Sequence, residues 1–466
     1  MLPEGAVLHM QTNDFSKGKV WRRIVAQAIP LTLAQLVQLL YNVVDRIYLG
    51  HLPSAVSLAL TGIGLAFPII ILTNAFTNLY GTGGTPLFSI ARGAREDARA
   101  ERILGNVFML LLCTAAVITC AGMAFRKPLL YLFGASDASY PYADAYLRIY
   151  LLGTPFAMMT AGLNGFINAQ GFPKFGMMTT LLGAVLNILL DPLFIFVLNM
   201  GVEGAALATV ISQAASAVWV LKFLTGKRAI LRIRRQNMRV TLPMTKEILT
   251  LGTAGFIMQG TNALVQIACN TTLATFGGDL YIGLMSVINS VREVLSLPVS
   301  GLTSGAQPVM SFNYGAKEYG RVKEAIRFTS AAGTIYTVIM WIVVLMIPGP
   351  LIALFTNDAA MIAAGPEMLQ IYFFGFSFMV FQFAGQTTFQ ALGCAKQAIC
   401  FSLLRKAVIV VPLTLLLPQL GFGVRGVFMA EPISNVVGSL ACFITMYLTV
   451  YRRLGKSEIK TAVRRI

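Results

Sequence analysis

Residues 187–196 read NILLDPLFIF, which sets one carboxylate, Asp191, and a following proline inside a long apolar stretch. A charge at bilayer depth costs roughly 2.5–3.5 kcal/mol on the insertion scale, so a chain keeps one there for its chemistry. Asn187 precedes Asp191 by four residues and therefore shares its helical face. A second carboxylate, Asp45, sits in YNVVDRIYLG, and Thr209 lies one to two turns into the apolar stretch after Asp191. The depths of Asp45, Asn187, Asp191 and Thr209 allow them to converge. Together they offer hard oxygen ligands for a small cation such as Na+, or carboxylates that share a proton. A buried carboxylate that can hold either a proton or a cation has what is needed to exchange one for another, or for a cationic substrate. Asp45 has a second reading, an interfacial ion pair with the adjacent Arg46. Asp191 has no basic residue on its own span to neutralise it. Pro192 removes the backbone donor that would reach Ile188, which frees a carbonyl and bends the helix beside the carboxylate; a plain kink is the other reading.

The second half of the chain carries different charges: Arg292 and Glu293 near the middle of one apolar stretch, and Arg405 with Lys406 in another. Adjacent helical residues point about 100° apart, so Arg292 and Glu293 need not pair, and an inter-helix pair of Glu293 with Arg405 is expected. Gln35, Gln38, Asn164, Gln259 and Asn262 are uncharged polar groups inside apolar stretches. With Arg292, Glu293 and Arg405 they are candidates to line a substrate cavity, although such groups also bond neighbouring helices.

The elements that must position these residues are transmembrane helices. The 466 residues are 56% hydrophobic and 12% charged, with a mean hydropathy of +0.72, too apolar for a soluble globular protein. Stretches long enough to cross the hydrocarbon recur at roughly 24–49, 54–80, 103–125, 144–168, 175–199, 204–224, 246–275, 281–304, 326–347, 366–391, 397–419 and 426–449. The expected fold is an all-α polytopic membrane protein of twelve transmembrane helices. Residues 1–23 form a polar leading segment, 24–224 and 246–449 two six-helix bundles, 225–245 a basic linker and 450–466 a basic tail. The leading segment has no signal-peptide pattern.

The net charge of +17 is concentrated at alternate helix ends, for example Arg92, Arg95, Arg99 and Arg102, then Lys222 to Arg239, then Lys317 to Arg327, then Arg452 to Arg465. Such a distribution reflects topology and contact with anionic lipid rather than nucleic-acid binding. It places both termini in the cytoplasm and the chain in the cell (inner or plasma) membrane. Six scattered cysteines lack CxxC spacing or His partners and read as buried thiols rather than metal ligands. With His9 and His51 at the membrane margin and no nucleotide loop or nucleophile–base pair, the chain does not read as an enzyme.

A shift of 222 residues lays one half on the other. Gly83, Pro86, Gly93, Ala94 and Glu96 fall on Gly305, Pro308, Gly315, Ala316 and Glu318, and GVEG at 201 falls on GVRG at 423. One register held from the second helix to the twelfth indicates two homologous units. Because six is even, a pseudo-two-fold axis along the membrane normal relates them, as in secondary transporters.

YNVVDRIYLG, GTGGTPLFSIARGA, NAQGFPKFGM, NILLDPLFIF and SGAQPVMSFNYGA together make the chain similar to multidrug and toxic compound extrusion (MATE) transporters along nearly its whole length. The lack of acidic residues in the seventh and tenth spans resembles the DinF-like prokaryotic branch rather than the NorM-like one. The resemblance implies a first-half cation site that lands on Asp45, Asn187, Asp191 and Thr209, and a first-helix proline, Pro30, that bends when the carboxylate is protonated. It also implies alternating access, with amphiphilic and mostly cationic compounds exported against H+ or Na+. The expected partners are small amphiphilic substrates and membrane lipid, with no nucleic acid. A monomer is expected, and no cofactor or metal beyond the coupling ion. A flippase for lipid-linked oligosaccharide, or for another amphiphilic lipid precursor, is the alternative, since Arg292, Arg405 and Lys406 would suit a cationic cavity.

Overall fold

In a computed structural model of the chain the backbone is described for residues 14–50 and 56–455, and the side chains for the same residues except 42, 45–50 and 56–63. Backbone N–H and C=O groups in hydrocarbon must be satisfied within the segment, and the described residues are accordingly helix joined by turns and by one longer connection, 226–241. The first half consists of α1 (Val20–Gly50), α2 (Val56–Gly93), α3 (Asp97–Ala124), the short α4 (Arg126–Leu132), α5 (Tyr140–Ala169), α6 (Pro173–Pro192) with a π turn at Leu193–Val197, and α7 (Gly201–Thr225). The second half consists of α8 (Leu242–Phe276), α9 (Gly278–Gly315), α10 (Tyr319–Met346), the short α11 (Pro348–Ala353), α12 (Ala359–Phe373) continued by α13 (Met379–Ala391), α14 (Ala395–Leu403), α15 (Val411–Leu417) and α16 (Gly423–Met446). Within these elements, ten stretches are long and apolar enough to cross a membrane. The 30-residue α5 adds another crossing, and the stretch 395–451 reverses at Gly421 and Gly423, both in the left-handed region. Twelve crossings result, as expected.

The duplication is visible in the backbone itself. Left-handed φ occurs at Arg95 and Lys317, at Gly171 and Gly393, at Asn199 and Gly421, and at Gly201 and Gly423, each pair 222 residues apart. A residue with a side chain is uncommon in that region, so the shared positions of Arg95 and Lys317 mark the same sharp turn built twice.

Each unit has its own cores. In the first, Phe88, Leu104, Val107, Leu163 and Phe166 pack together near the basic helix ends and Leu130, Leu147, Leu151 and Ile195 near the opposite ends, all fully or almost fully buried. In the second, Phe15, Ile24, Val309 and Phe389 form one cluster, and Leu284, Phe373 and Phe428 another.

The unit boundaries differ from the sequence expectation. The first unit contains Leu33–Gly252, so the linker stays with the bundle before it, whereas Phe15–Thr32 groups with Thr253 onward. Hydrogen bonds account for both departures. The linker is held by Gln170, which accepts from Leu231 N at 3.0 Å, and by Glu101, which accepts from Asn237 at 2.9 Å and pairs with Arg234 at 3.3 Å. The leading segment is held by Arg321, which donates to the carbonyls of Gly18 and Phe15 at 2.9 Å each, and by Asn313, which donates to Phe15 O at 3.2 Å.

Candidate functional site

Asp191 occupies the last turn of α6 and is fully buried, with Asn187 one turn earlier at 1% exposure. Beyond Asp191 the helix loosens into the π turn Leu193–Val197, in which Leu198 N bonds Leu193 O, the irregular backbone expected after Pro192. Thr209 reaches the same place from α7. Asn187 Nδ2 lies 3.4 Å from Asp191 Oδ1 and 3.4 Å from Thr209 Oγ1. Turning the amide over is better: its nitrogen then donates to Asp191 Oδ2 at 2.7 Å and its oxygen accepts from Thr209 N at 3.3 Å. Three of the four expected cation-site residues therefore meet. Asp45 lies on α1 four residues beyond Tyr41, and its side chain is outside the described residues.

Beside this cluster is a cavity of about 350 Å³ within the first bundle, lined by Gln38 and Tyr41 from α1, Thr160 and Asn164 from α5, Thr179 and Asn187 from α6, and Thr209, Ser212, Gln213 and Ser216 from α7. Its size is at the lower end of the ~300–1,000 Å³ range of small-molecule sites. Asn164 donates to Gly176 O at 3.2 Å, while Asn164 Oδ1, Ser212 Oγ and Gln213 Oε1 are buried without a partner among the described residues. Buried polar atoms are ordinarily bonded, so this lining suits a guest or water that donates hydrogen bonds. Of the expected substrate-cavity residues, Gln38 and Asn164 are in this lining. Gln35 is half-buried on α1, while Gln259 and Asn262 on α8 are exposed. Pro30 is buried inside α1.

The expected Glu293–Arg405 pair does not form. Glu293 is exposed, and Arg405 Nη2 instead meets Glu431 of α16 at 2.6 Å and Asn435 Oδ1 at 2.6 Å. Lys406 Nζ is 3.1 Å from the same carboxylate and Arg292 Nη1 is 3.7 Å away. The roughly 100° between consecutive helical residues turns Arg292 toward α16 and Glu293 away from it. Glu431 does not stand out by spacing, because its partners come from two other helices. The 222-residue shift points to it, since it carries Thr209 onto Glu431.

Residues 30–193 and 256–416 match the MatE family model. The chain belongs to the MatE family. The relatives of this MatE chain include "Multidrug export protein MepA" of Staphylococcus haemolyticus (strain JCSC1435), 25% identical over 446 residues that make up 96% of this chain and 97% of the relative. The protein of the same name from Staphylococcus aureus (strain N315) is 24% identical over 93% of this chain and 95% of its own length. Among solved structures, "Crystal structure of MATE in the bent conformation" superposes with a TM-score of 0.88 at 22% identity, covering 95% of this chain and 98% of that one. A MOP superfamily transporter from Pyrococcus furiosus Vc1 (DSM3638), whose structure is described as having a binding pocket of reverse polarity, gives 0.87 at 22% identity over 95% and 98%. The chain is therefore a multi-pass membrane protein with the fold of MATE transporters.

Proposed function

We propose that this MatE chain is a secondary active antiporter that exports amphiphilic, mostly cationic compounds in exchange for H+ or Na+ by alternating access. It would act in the cell membrane with both termini in the cytoplasm. The observation that carries the reading is Asp191, a fully buried carboxylate bonded by Asn187 next to a polar cavity with unpartnered oxygen atoms. An amide nitrogen facing Asp191 stabilises the free carboxylate. The reversed amide presents oxygen there, so Asn187 can serve an empty site or one that holds a cation. The full-length match to relatives named for multidrug export supports the substrate class.

The test is ethidium efflux from energised cells that carry wild type or Asp191→Asn at equal membrane expression, with the proton and sodium gradients collapsed separately. Efflux should depend on one gradient, which names the ion, and should fall to background in the variant. Normal efflux in Asp191→Asn would remove this carboxylate from the mechanism.

A further inference from the structure

The 222-residue shift carries the lining of the first-bundle cavity onto the charged cluster of the second bundle. Gly183 and Ala184 become Arg405 and Lys406, Thr209 becomes Glu431, and Gln213 becomes Asn435. The side-chain bonding supports the same register. Asn164 donates to the carbonyl of Gly176, and its counterpart Gln386 donates to the carbonyl of Ala398 at 2.9 Å, again 222 residues on. The second bundle has thus placed cations where the first keeps small residues around a neutral polar cavity.

Arg292, Arg405 and Lys406 surround one carboxylate, so the cluster carries two positive charges in excess. Excess buried charge inside spanning helices is costly unless it is paired. The Nε–H groups of Arg292 and of Arg405 are both buried with no partner among the described residues. Guanidinium groups bind planar oxyanions through paired N–H donors, which is what two free Nε–H groups beside surplus positive charge offer. The cluster is not sealed, because the Arg292 side chain is 34% exposed.

We infer that Arg292, Arg405 and Lys406 form a binding site for the oxyanion group, carboxylate or phosphate, of an amphiphilic molecule. Glu431 keeps the three cations together while the site is empty, and the incoming oxyanion takes the donors that Glu431 leaves free. The site would admit anionic or zwitterionic amphiphiles to a protein whose first bundle is suited to cations. The inference rests on the exporter reading only for how the ligand arrives, and binding can be measured without transport.

The experiment uses the full chain in nanodiscs of neutral phosphatidylcholine, titrated with a dansyl-labelled undecanoate and with its methyl ester, the signal of empty discs subtracted. The acid should bind saturably and the ester at least about tenfold more weakly, the loss expected when a charge-assisted hydrogen bond is removed. Arg292→Gln should weaken the acid by a similar factor and Arg292→Lys should restore part of it, while Gly320→Ala, at a position with nothing within 4 Å, should leave it unchanged. A matching elution profile and melting midpoint for Arg292→Gln and wild type separate lost binding from lost folding. Equal binding of acid and ester, or wild-type binding of the acid by Arg292→Gln, overturns the inference. Discs containing phosphatidylglycerol then separate the sources of the oxyanion. Displacement of the probe there, after correction for its lower partition, supports the site with a lipid headgroup as occupant, and undiminished binding supports it with a non-lipid amphiphile. Absence of gradient-dependent ethidium efflux in the wild type would refute the exporter reading and leave this binding result standing.

Discussion

At the scale of single residues, the proposed coupling rests most directly on the contact between Asn187 and Asp191. It is an amide donor on a buried carboxylate, the kind of bond worth about 1.5–3 kcal/mol, because breaking it leaves a charged group short of a partner. Asn187→Ala should therefore alter how tightly the coupling ion is held, with the half-saturating ion concentration for ethidium efflux in proteoliposomes shifting about ten- to a hundredfold. The maximal rate with saturating ion should change less. An unchanged ion dependence would mean that Asn187 only packs α6 against α7. The same position in the second bundle is Ile409, which offers no such donor, and this fits a division in which only the first bundle handles the cation.

At the scale of elements, the close crossings of helices depend on glycines at equivalent places. A Cβ on Gly83 of α2 would run into the carbonyl of Ile248 on α8, and one on Gly305 of α9 would sit 2.6 Å from the backbone nitrogen of Ala28 on α1. Backbone cannot move aside as a side chain can, so Gly305→Ala should cost about 1–3 kcal/mol, the usual penalty for overpacking. Its melting midpoint in detergent should fall. Gly320→Ala, where nothing lies within 4 Å, should leave the midpoint level or slightly higher, because alanine is the better helix former. Equal midpoints for the two variants would show that the α1–α9 crossing can spread apart. These glycines were legible as duplicated punctuation, as were the twelve spans, because both are local patterns. The four-residue spacing of Asn187 and Asp191 was legible for the same reason. Glu431 was not, since its partners Arg405 and Arg292 are joined to it only by the packing of three helices. Nor was the assignment of Phe15–Thr32 to the second unit, which depends on Arg321 and Asn313 capturing carbonyls about 300 residues away in sequence.

At the scale of the whole molecule, orientation decides from which side the ion of the proposed antiport would reach Asp191. The chain enters α6 at Pro173, near the basic helix ends, and Asp191 lies about 27 Å further along at the helical rise of 1.5 Å per residue. If the basic ends are cytoplasmic, as the positive-inside rule requires, Asp191 is nearer the outer face and an ion moving inward has the shorter part of its path first. Impermeant maleimide can decide this with two single-cysteine variants, Lys227→Cys in the basic linker and Ala138→Cys in the turn before α5, both at exposed positions. The six native thiols must first be replaced so that only the introduced cysteine can be labelled, and ethidium efflux checks that the replaced chain still works. In intact cells Ala138→Cys should be labelled and Lys227→Cys should not, with both labelled after permeabilisation. The reverse pattern would place the basic ends outside. Asp191 would then face the cytoplasmic half of the membrane, and an inward-moving ion would have to cross most of the bilayer before meeting its carboxylate.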